Sequence, residues 1–270
     1  MKGDMLPNTG IESSEESSGI ATSADWHLLE CGGYGADLLP LRRLASGHDL
    51  VGDLGCGCGR VTREIARDDV GVIAVDNDPT LLKSLERRAG KGGVSAHIEV
   101  VEADLSVRGW SVGLPRPALA IAAMQLWQVL STDGARILAE EVRGWLRPSG
   151  SFAVAVLDSE REEVSTSSAP ITAAAELRPA LREVDGWLLS SQVTAVRESS
   201  RSVEVHRLRQ QVSPGGEVIG TMSVDRLRRV SLDQVERELG SWGFEPRERI
   251  QIPAEPESVP CAIIVAEVAS

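Results

Sequence analysis

No run in this 270-residue chain approaches the roughly 18–20 consecutive apolar residues that a membrane-spanning helix needs. The N-terminus has neither the basic start nor the apolar core of a secretory signal. These two absences make a cytoplasmic location, with no membrane partner, the default expectation. Cationic charge is scarce as well. Lys and Arg together number 28 against 40 Asp and Glu, a net charge of −12. Neutralising phosphates takes clustered Lys and Arg, so a general nucleic-acid binder is not expected. The four cysteines, Cys31, Cys56, Cys58 and Cys261, come without a matching His or Cys pair at metal-ligand spacing. Cys56 and Cys58 stand only two apart, closer than paired zinc ligands usually lie. They read as reduced thiols, and no metal is expected. No internal repeat is visible.

What remains is a chain with 42% hydrophobic residues, long enough for one α/β domain with an insertion. Its most informative run is Asp53-Leu54-Gly55-Cys56-Gly57-Cys58-Gly59-Arg60. Apolar Leu50 and Val51 precede it, and Val61-Thr62-Arg63-Glu64-Ile65-Ala66 follows with helical spacing. A strand, a glycine turn and a helix let backbone approach a ligand closely. Glycines tolerate φ > 0 and carry no Cβ, and a helix start offers unpaired N–H groups. The turn predicts a nucleotide-like cofactor.

Strand and helix patterns alternate around it. Strands are expected at 50–54, 70–75, 96–102, 119–124 and 151–157, and helices at 60–68, 78–89 and 133–146. Pro79 fits the first turn of its helix. Alternation on this scale implies parallel βαβ units in a doubly wound, Rossmann-like α/β sheet. Residues 24–46 look helical with a break at Gly32-Gly33, and 1–22, rich in Ser, Glu and Gly, read as a disordered tail. After residue 158 the period changes. Residues 160–169 look like a loop, and 188–196, 202–212 and 218–229 alternate apolar and polar, which predicts a small antiparallel β insertion over 158–230. Ser231 with Gln234 reads as a capping box for a helix to Trp242, stopped by Gly243. Strands at 246–252 and 261–268 complete the core over 231–270, with 23–157 as its first part.

Three acids narrow the cofactor. Asp53 lies two residues before the first glycine, Asp76 ends the second strand 21 residues beyond Gly55, and Asp104 follows the third. Carboxylates at those places suit ribose hydroxyls and an adenine amino group. Asp53 so near the turn would repel a pyrophosphate and favour a cofactor carrying an ammonium and a sulfonium. That description fits S-adenosylmethionine (SAM).

With these residues in view, the chain resembles the class I SAM-dependent methyltransferases of small-molecule type, over about 26–157 and 231–268. Asp53–Gly59 is similar to the family's glycine-rich motif, Val75-Asp76 to its ribose acid and Ala103-Asp104-Leu105 to its adenine motif. Leu146–Ser151 resembles the turn before its fifth strand, and Leu239–Phe244 the end of its last helix. The resemblance implies a seven-stranded sheet whose last strand runs antiparallel. It also implies a cofactor site of Tyr34, Asp53, Gly55, Cys56, Gly57, Asp76, Asn77, Asp104, Leu105 and Met124, with Gly59 beside them. Tyr34-Gly35-Ala36-Asp37-Leu38 looks like the family's N-terminal cover. Cys58 stands where many relatives carry Thr or Ser.

Methyl transfer is an in-line displacement that depends chiefly on positioning, so the acceptor is less legible than the cofactor. Tyr34, His27 and Gln125 are the catalytic candidates, with Trp26 as an anchor or a sulfonium-facing ring. Of the other histidines, His48 precedes the first strand, His97 falls within the third and reads as structural, and His206 lies on the insertion. The fourth strand leads into Met124-Gln125, without the motif of DNA adenine methylases or the Pro-Cys of cytosine C5 enzymes. The expectation is methyl transfer to O, N or C of a small organic acceptor in specialised metabolism, yielding S-adenosylhomocysteine. The insertion would act as a lid or homodimer element. The alternatives are a SAM-binding cyclase, scaffold or regulator without methyl transfer, and an NAD-dependent oxidoreductase.

Overall fold

The computed structural model describes residues 21–157, 178–252 and 261–269. The expected loop at 160–169 and all but residues 21 and 22 of the expected tail lie outside them. The chain opens with α1 (Ser23–Cys31) and α2 (Leu38–Ala45), divided by the glycine break. Thr22 caps α1 reciprocally with Asp25, each side chain taking the other's backbone N–H. Then come β1 (Leu50–Leu54), α3 (Arg60–Ala66), β2 (Gly71–Asp76), α4 (Pro79–Gly92), β3 (Ile98–Glu102), β4 (Leu119–Ala122), α5 (Leu126–Val129), α6 (Thr132–Trp145) and β5 (Ser151–Leu157). The strands β6 (Ala180–Val184), β7 (Trp187–Glu198), β8 (Ser202–Val212) and β9 (Val218–Arg228) follow, then α7 (Leu232–Ser241), β10 (Phe244–Ile252) and β11 (Cys261–Val268).

The main sheet has seven strands in the order β10-β11-β5-β4-β1-β2-β3. The five strands from β5 to β3 run parallel, and β11 lies antiparallel to both β5 and β10. The expected doubly wound sheet with an antiparallel last strand is therefore present. Period-two alternation divides its core. Phe152, Val154 and Val156 of β5 face Leu138, Val142, Trp145, Val235 and Leu239. Ala153 and Ala155 join the opposite core with Leu41, Val61, Ile65 and Leu85. Gly52 has a steric reason: a Cβ there would stand 2.4 Å from the Trp145 ring.

The second sheet is antiparallel, in the order β6-β7-β8-β9. Its β6 is a strand that periodicity did not mark. Several element ends also move, and one cap differs. β3 starts at Ile98, and His97 sits in a short 3₁₀ turn, Ser95–His97, not within the strand. β4 ends at Ala122, because Met124 and Gln125 turn left-handed at φ 45° and 60°. The Ser231 hydroxyl caps α7 through Gln234 N–H, but the Gln234 side chain bonds Glu238, so only half of the expected box forms.

Candidate functional site

The glycine turn leaves β1 at the carboxyl edge of the main sheet, where doubly wound folds hold ligands. Gly55, Gly57 and Gly59 have φ of 66°, 54° and 76°, a left-handed conformation that L side chains rarely take. Gly55 and Cys56 donate their N–H groups to Val75 O at 2.8 and 3.0 Å, binding the turn to the end of β2. Gly57 N–H donates to Asp76 Oδ2 at 2.8 Å, and Asp78 N–H to Oδ1 at 3.0 Å. Each Asp76 oxygen thus spends one acceptor position on backbone and keeps capacity for another donor. Crowding reinforces the glycines, since a Cβ at Gly59 would lie 2.1 Å from Leu85 and one at Gly57 2.4 Å from His27 Nε2.

The other sequence-selected residues take different places around this turn. Asp53 lies beneath it, only 1% exposed, and accepts the Thr62 hydroxyl. Burial pushes its pKa up to about 6, against the Thr62 hydrogen bond and Arg60, which pull it down. Cys56 is buried in the turn, and burial drives its thiol far above the usual range. Asn77 is exposed after β2, while Asp104 is exposed after β3 with Oδ1 taking the Ser106 N–H and hydroxyl at 2.8 and 2.6 Å. Leu105 is buried in the core. Registers Leu54↔Val75 and Asp76↔Glu102 align these strand ends, so the turn, Asp76 and Asp104 share one edge.

Leu54 also pairs with Ala122, which brings Met124 and Gln125 to the same edge from β4. Two successive non-glycine residues with positive φ store about 1–3 kcal/mol each. The Gln125 carbonyl accepts from Gln128 and Val129 at 2.8 and 3.0 Å and starts α5. Leu126 of that helix touches the turn, 3.1 Å from where a Gly55 Cβ would be.

The N-terminal helices close over the turn. Trp26 is buried, and the His27 ring rests against Gly57. His27 Nδ1 is a buried atom without a hydrogen-bond partner. Burial lowers the His27 pKa below 6.5, opposed by Asp76 and Glu30 and assisted by Arg60 and Arg88. The Tyr34 hydroxyl is 3.3 Å from Cys261 Sγ, and burial, with that contact, raises its pKa far above the phenol range. Spacing did not reveal how the cover is fastened. Arg60, directly after the turn, makes a two-pronged ion pair with buried Asp37 and donates to Tyr34 O at 3.1 Å. The hint available was Asp37 within the Tyr34–Leu38 stretch.

A second fastening joins the cover to the antiparallel sheet. Arg209 of β8 donates to Glu30 through Nε and Nη2 at 2.8 and 2.7 Å, and the Ser191 hydroxyl of β7 adds 2.7 Å. The Arg209 guanidinium also lies 5.5 Å from the Trp26 ring centroid. Arg228 of β9 donates to Leu130 O and Trp127 O at 2.7 and 3.0 Å, fixing the other end of the sheet over α5. Three histidines stand apart from the turn. His48 precedes β1, His97 Nε2 lies 3.5 Å from Asp69 Oδ1, and His206 Nε2 lies 3.2 Å from Glu204 Oε2. Among the described residues no His, Cys, Asp or Glu cluster could hold a metal, and no helix is long and apolar enough to cross a membrane.

This geometry has counterparts. A family model described as a methyltransferase domain matches residues 51–150, the stretch from β1 to the turn before β5. A carboxy-S-adenosyl-L-methionine synthase from Pectobacterium atrosepticum is 29% identical over 112 residues, 40% of this chain and 43% of that protein. The matched part thus spans less than half the length of that relative. A sugar N-methyltransferase from Streptoalloteichus superposes with a TM-score of 0.72 at 14% identity, over 99% of this chain and 100% of the other. A SAM-bound amino pentose methyltransferase from Micromonospora echinaspora gives 0.66 at 12% identity, over 94% and 100%. Residues 51–150 match a methyltransferase-domain model, and the described residues have the Rossmann-like fold of these methyltransferases.

Proposed function

We propose that this chain binds SAM across the glycine turn and transfers its methyl group to O, N or C of a small organic acceptor. The observation that carries the reading is Asp76, held by Gly57 and Asp78 N–H groups with acceptor capacity left on both oxygens. A vicinal ribose diol is what such a carboxylate suits. The remaining residues fit the same group: left-handed glycines give close backbone approach, the exposed Asp104 suits an amino group, and His27 Nδ1 is a buried atom in want of a partner. Bound there, SAM supplies an electrophilic methyl on a sulfonium. The chain supplies position and field. Asp53 and Asp76 place negative charge beneath and beside the turn, which favours a cationic ligand.

One neighbour with this fold is a sugar N-methyltransferase and another an amino pentose methyltransferase involved in calicheamicin biosynthesis, which supports an amine nitrogen as the first acceptor to test and a role in specialised metabolism. An amine must be unprotonated to attack. His27, kept neutral by burial, is placed to take that proton, and Gln125 and Tyr34 to orient the acceptor from β4 and the cover. The inner face of the second sheet, clamped to α1 by Arg209, forms the lid. Its outer face, with Leu181, Leu188, Met222 and Val224 exposed, serves a homodimer. Incubation with methyl-labelled SAM and a set of amino sugars should give a labelled, mass-shifted amine and S-adenosylhomocysteine. SAM binding without transfer to any O, N or C acceptor would refute the activity.

One observation favours a second reading. The curated relative is named for making a modified SAM, so the same edge can serve chemistry that leaves the sulfonium in the product. The mass of the nucleotide product separates the two readings.

A further inference from the structure

One buried side chain joins the cofactor edge to both ends of the second sheet. Gln128 of α5 is only 2% exposed. Its Oε1 accepts the Leu157 N–H at 2.8 Å, and its Nε2 donates to Arg228 O at 3.2 Å. Those partners lie 29 and 100 positions away in the sequence. Leu157 ends β5 and Arg228 ends β9, so they mark where the chain leaves the core and where it returns. An apolar side chain of the same length would fill the space but leave both buried backbone groups unpaired. The position therefore calls for an amide, which donates and accepts at once.

The same residue reaches the glycine turn through its backbone. Gln128 N–H donates to Gln125 O at 2.8 Å and closes the left-handed bend of Met124 and Gln125. Such backbone persists only where its surroundings hold it. Between the two glutamines, Leu126 lies 3.1 Å from where a Gly55 Cβ would stand. The helix that carries these contacts, Leu126–Val129, rises only about 6 Å and has no room to bend within itself. Arg228 adds its own bonds to Trp127 O and Leu130 O, so the end of β9 is fixed to α5 along its length. A shift of Leu126 at the turn is thus passed to Leu157 and Arg228 through one residue.

We propose that Gln128 is a positioning residue that couples occupation of the glycine turn to the docking of the second sheet. SAM on the turn and the docked sheet then favour each other, since such coupling is reciprocal. This coupling rests on the reading of the turn as a SAM site.

The test is amide hydrogen exchange of the full chain with and without saturating SAM, beside calorimetric SAM affinity. In the unaltered chain SAM should slow exchange about fivefold or more at the turn, in α1 and along β7–β9. In Gln128→Met, SAM affinity should stay within about threefold, with the slowing kept at the turn and lost from β7–β9. Gln128→Asn, whose amide is one methylene too short to reach both partners, should behave alike and serves if Gln128→Met does not fold. A glutamine that only stabilises the fold would speed exchange with and without SAM and leave the SAM-dependent difference intact. That difference at full size in a folded variant, or a second sheet indifferent to SAM in the unaltered chain, would overturn the coupling. Failure of the unaltered chain to bind SAM would remove the reading of the turn and the coupling together.

Discussion

Single residues carry the proposed cofactor site, and three of them lend themselves to sharp tests. Gly57 combines φ of 54° with a His27 ring 2.4 Å from any added Cβ. Gly57→Ala should lower stability by about 1–3 kcal/mol and SAM affinity by more than tenfold, read by thermal melting and calorimetry. An alanine variant that binds normally would mean the turn is less crowded than described. Asp53 is held near pKa 6 by burial, above its ordinary value of 3.8. A carboxylate raised in this way stabilises the fold when protonated, below 3.8, and loses that contribution as pH climbs through 6. Asp53→Asn should therefore raise stability at pH 8 by up to about 1–3 kcal/mol, read as a higher melting temperature, and give no gain at pH 4. His27 has the opposite sign. Its folded-state pKa is depressed below 6.5, so its neutral form is favoured above that value and is lost as pH falls below it. Methyl-transfer rates should fall on an acid limb below pH 6.5 that Glu or Asp substitution elsewhere leaves in place and His27→Gln removes. Superimposable profiles would remove His27 from proton transfer.

At the scale of elements, much was legible because the βαβ core obeys two strict periods. Strands 50–54, 151–157, 202–212 and 261–268 have the ends that alternation and apolar runs gave them. The failures have physical causes. Met124 looked like strand because it is apolar, yet left-handed backbone at Met124 and Gln125 ends β4 at Ala122. α5 is only four residues long, and β6, Ala180–Val184, has adjacent Arg182 and Glu183 in place of the apolar run that marked the equally short β1. The carboxylates and glycines of the site were readable from local spacing, whereas its fastenings pair residues with no local signal. Arg60 and Asp37 lie 23 positions apart, and Arg209 and Glu30 lie 179 apart. The second pair makes a prediction of its own. Glu30 is held below its usual range by Arg209 and Ser191 in spite of burial. Arg209→Ala leaves that carboxylate without its cation and should cost about 3–5 kcal/mol in urea unfolding, with much of the loss restored by Glu30→Gln on the same background. Strictly additive losses would show that the pair does not couple α1 to the second sheet.

At the largest scale, the described residues form a methyltransferase-like fold whose carboxyl edge, the proposed cofactor edge, is roofed by the N-terminal helices, which are in turn clamped to the antiparallel sheet. That arrangement leaves the sheet's outer face, with Met222 58% and Val224 42% exposed, turned away from the core. A homodimer through this face should have twice the monomer mass in light scattering and be broken by Met222→Asp with SAM binding kept. A monomer at micromolar concentration would dismiss it. The central claim concerns the cofactor edge, and its most direct test is calorimetric titration of SAM into the unaltered chain and into Asp76→Ala. Saturable binding near one equivalent, weakened about a hundredfold or more by the substitution, is the predicted result. Equal affinity in the two proteins, or no binding to the unaltered chain, would contradict it.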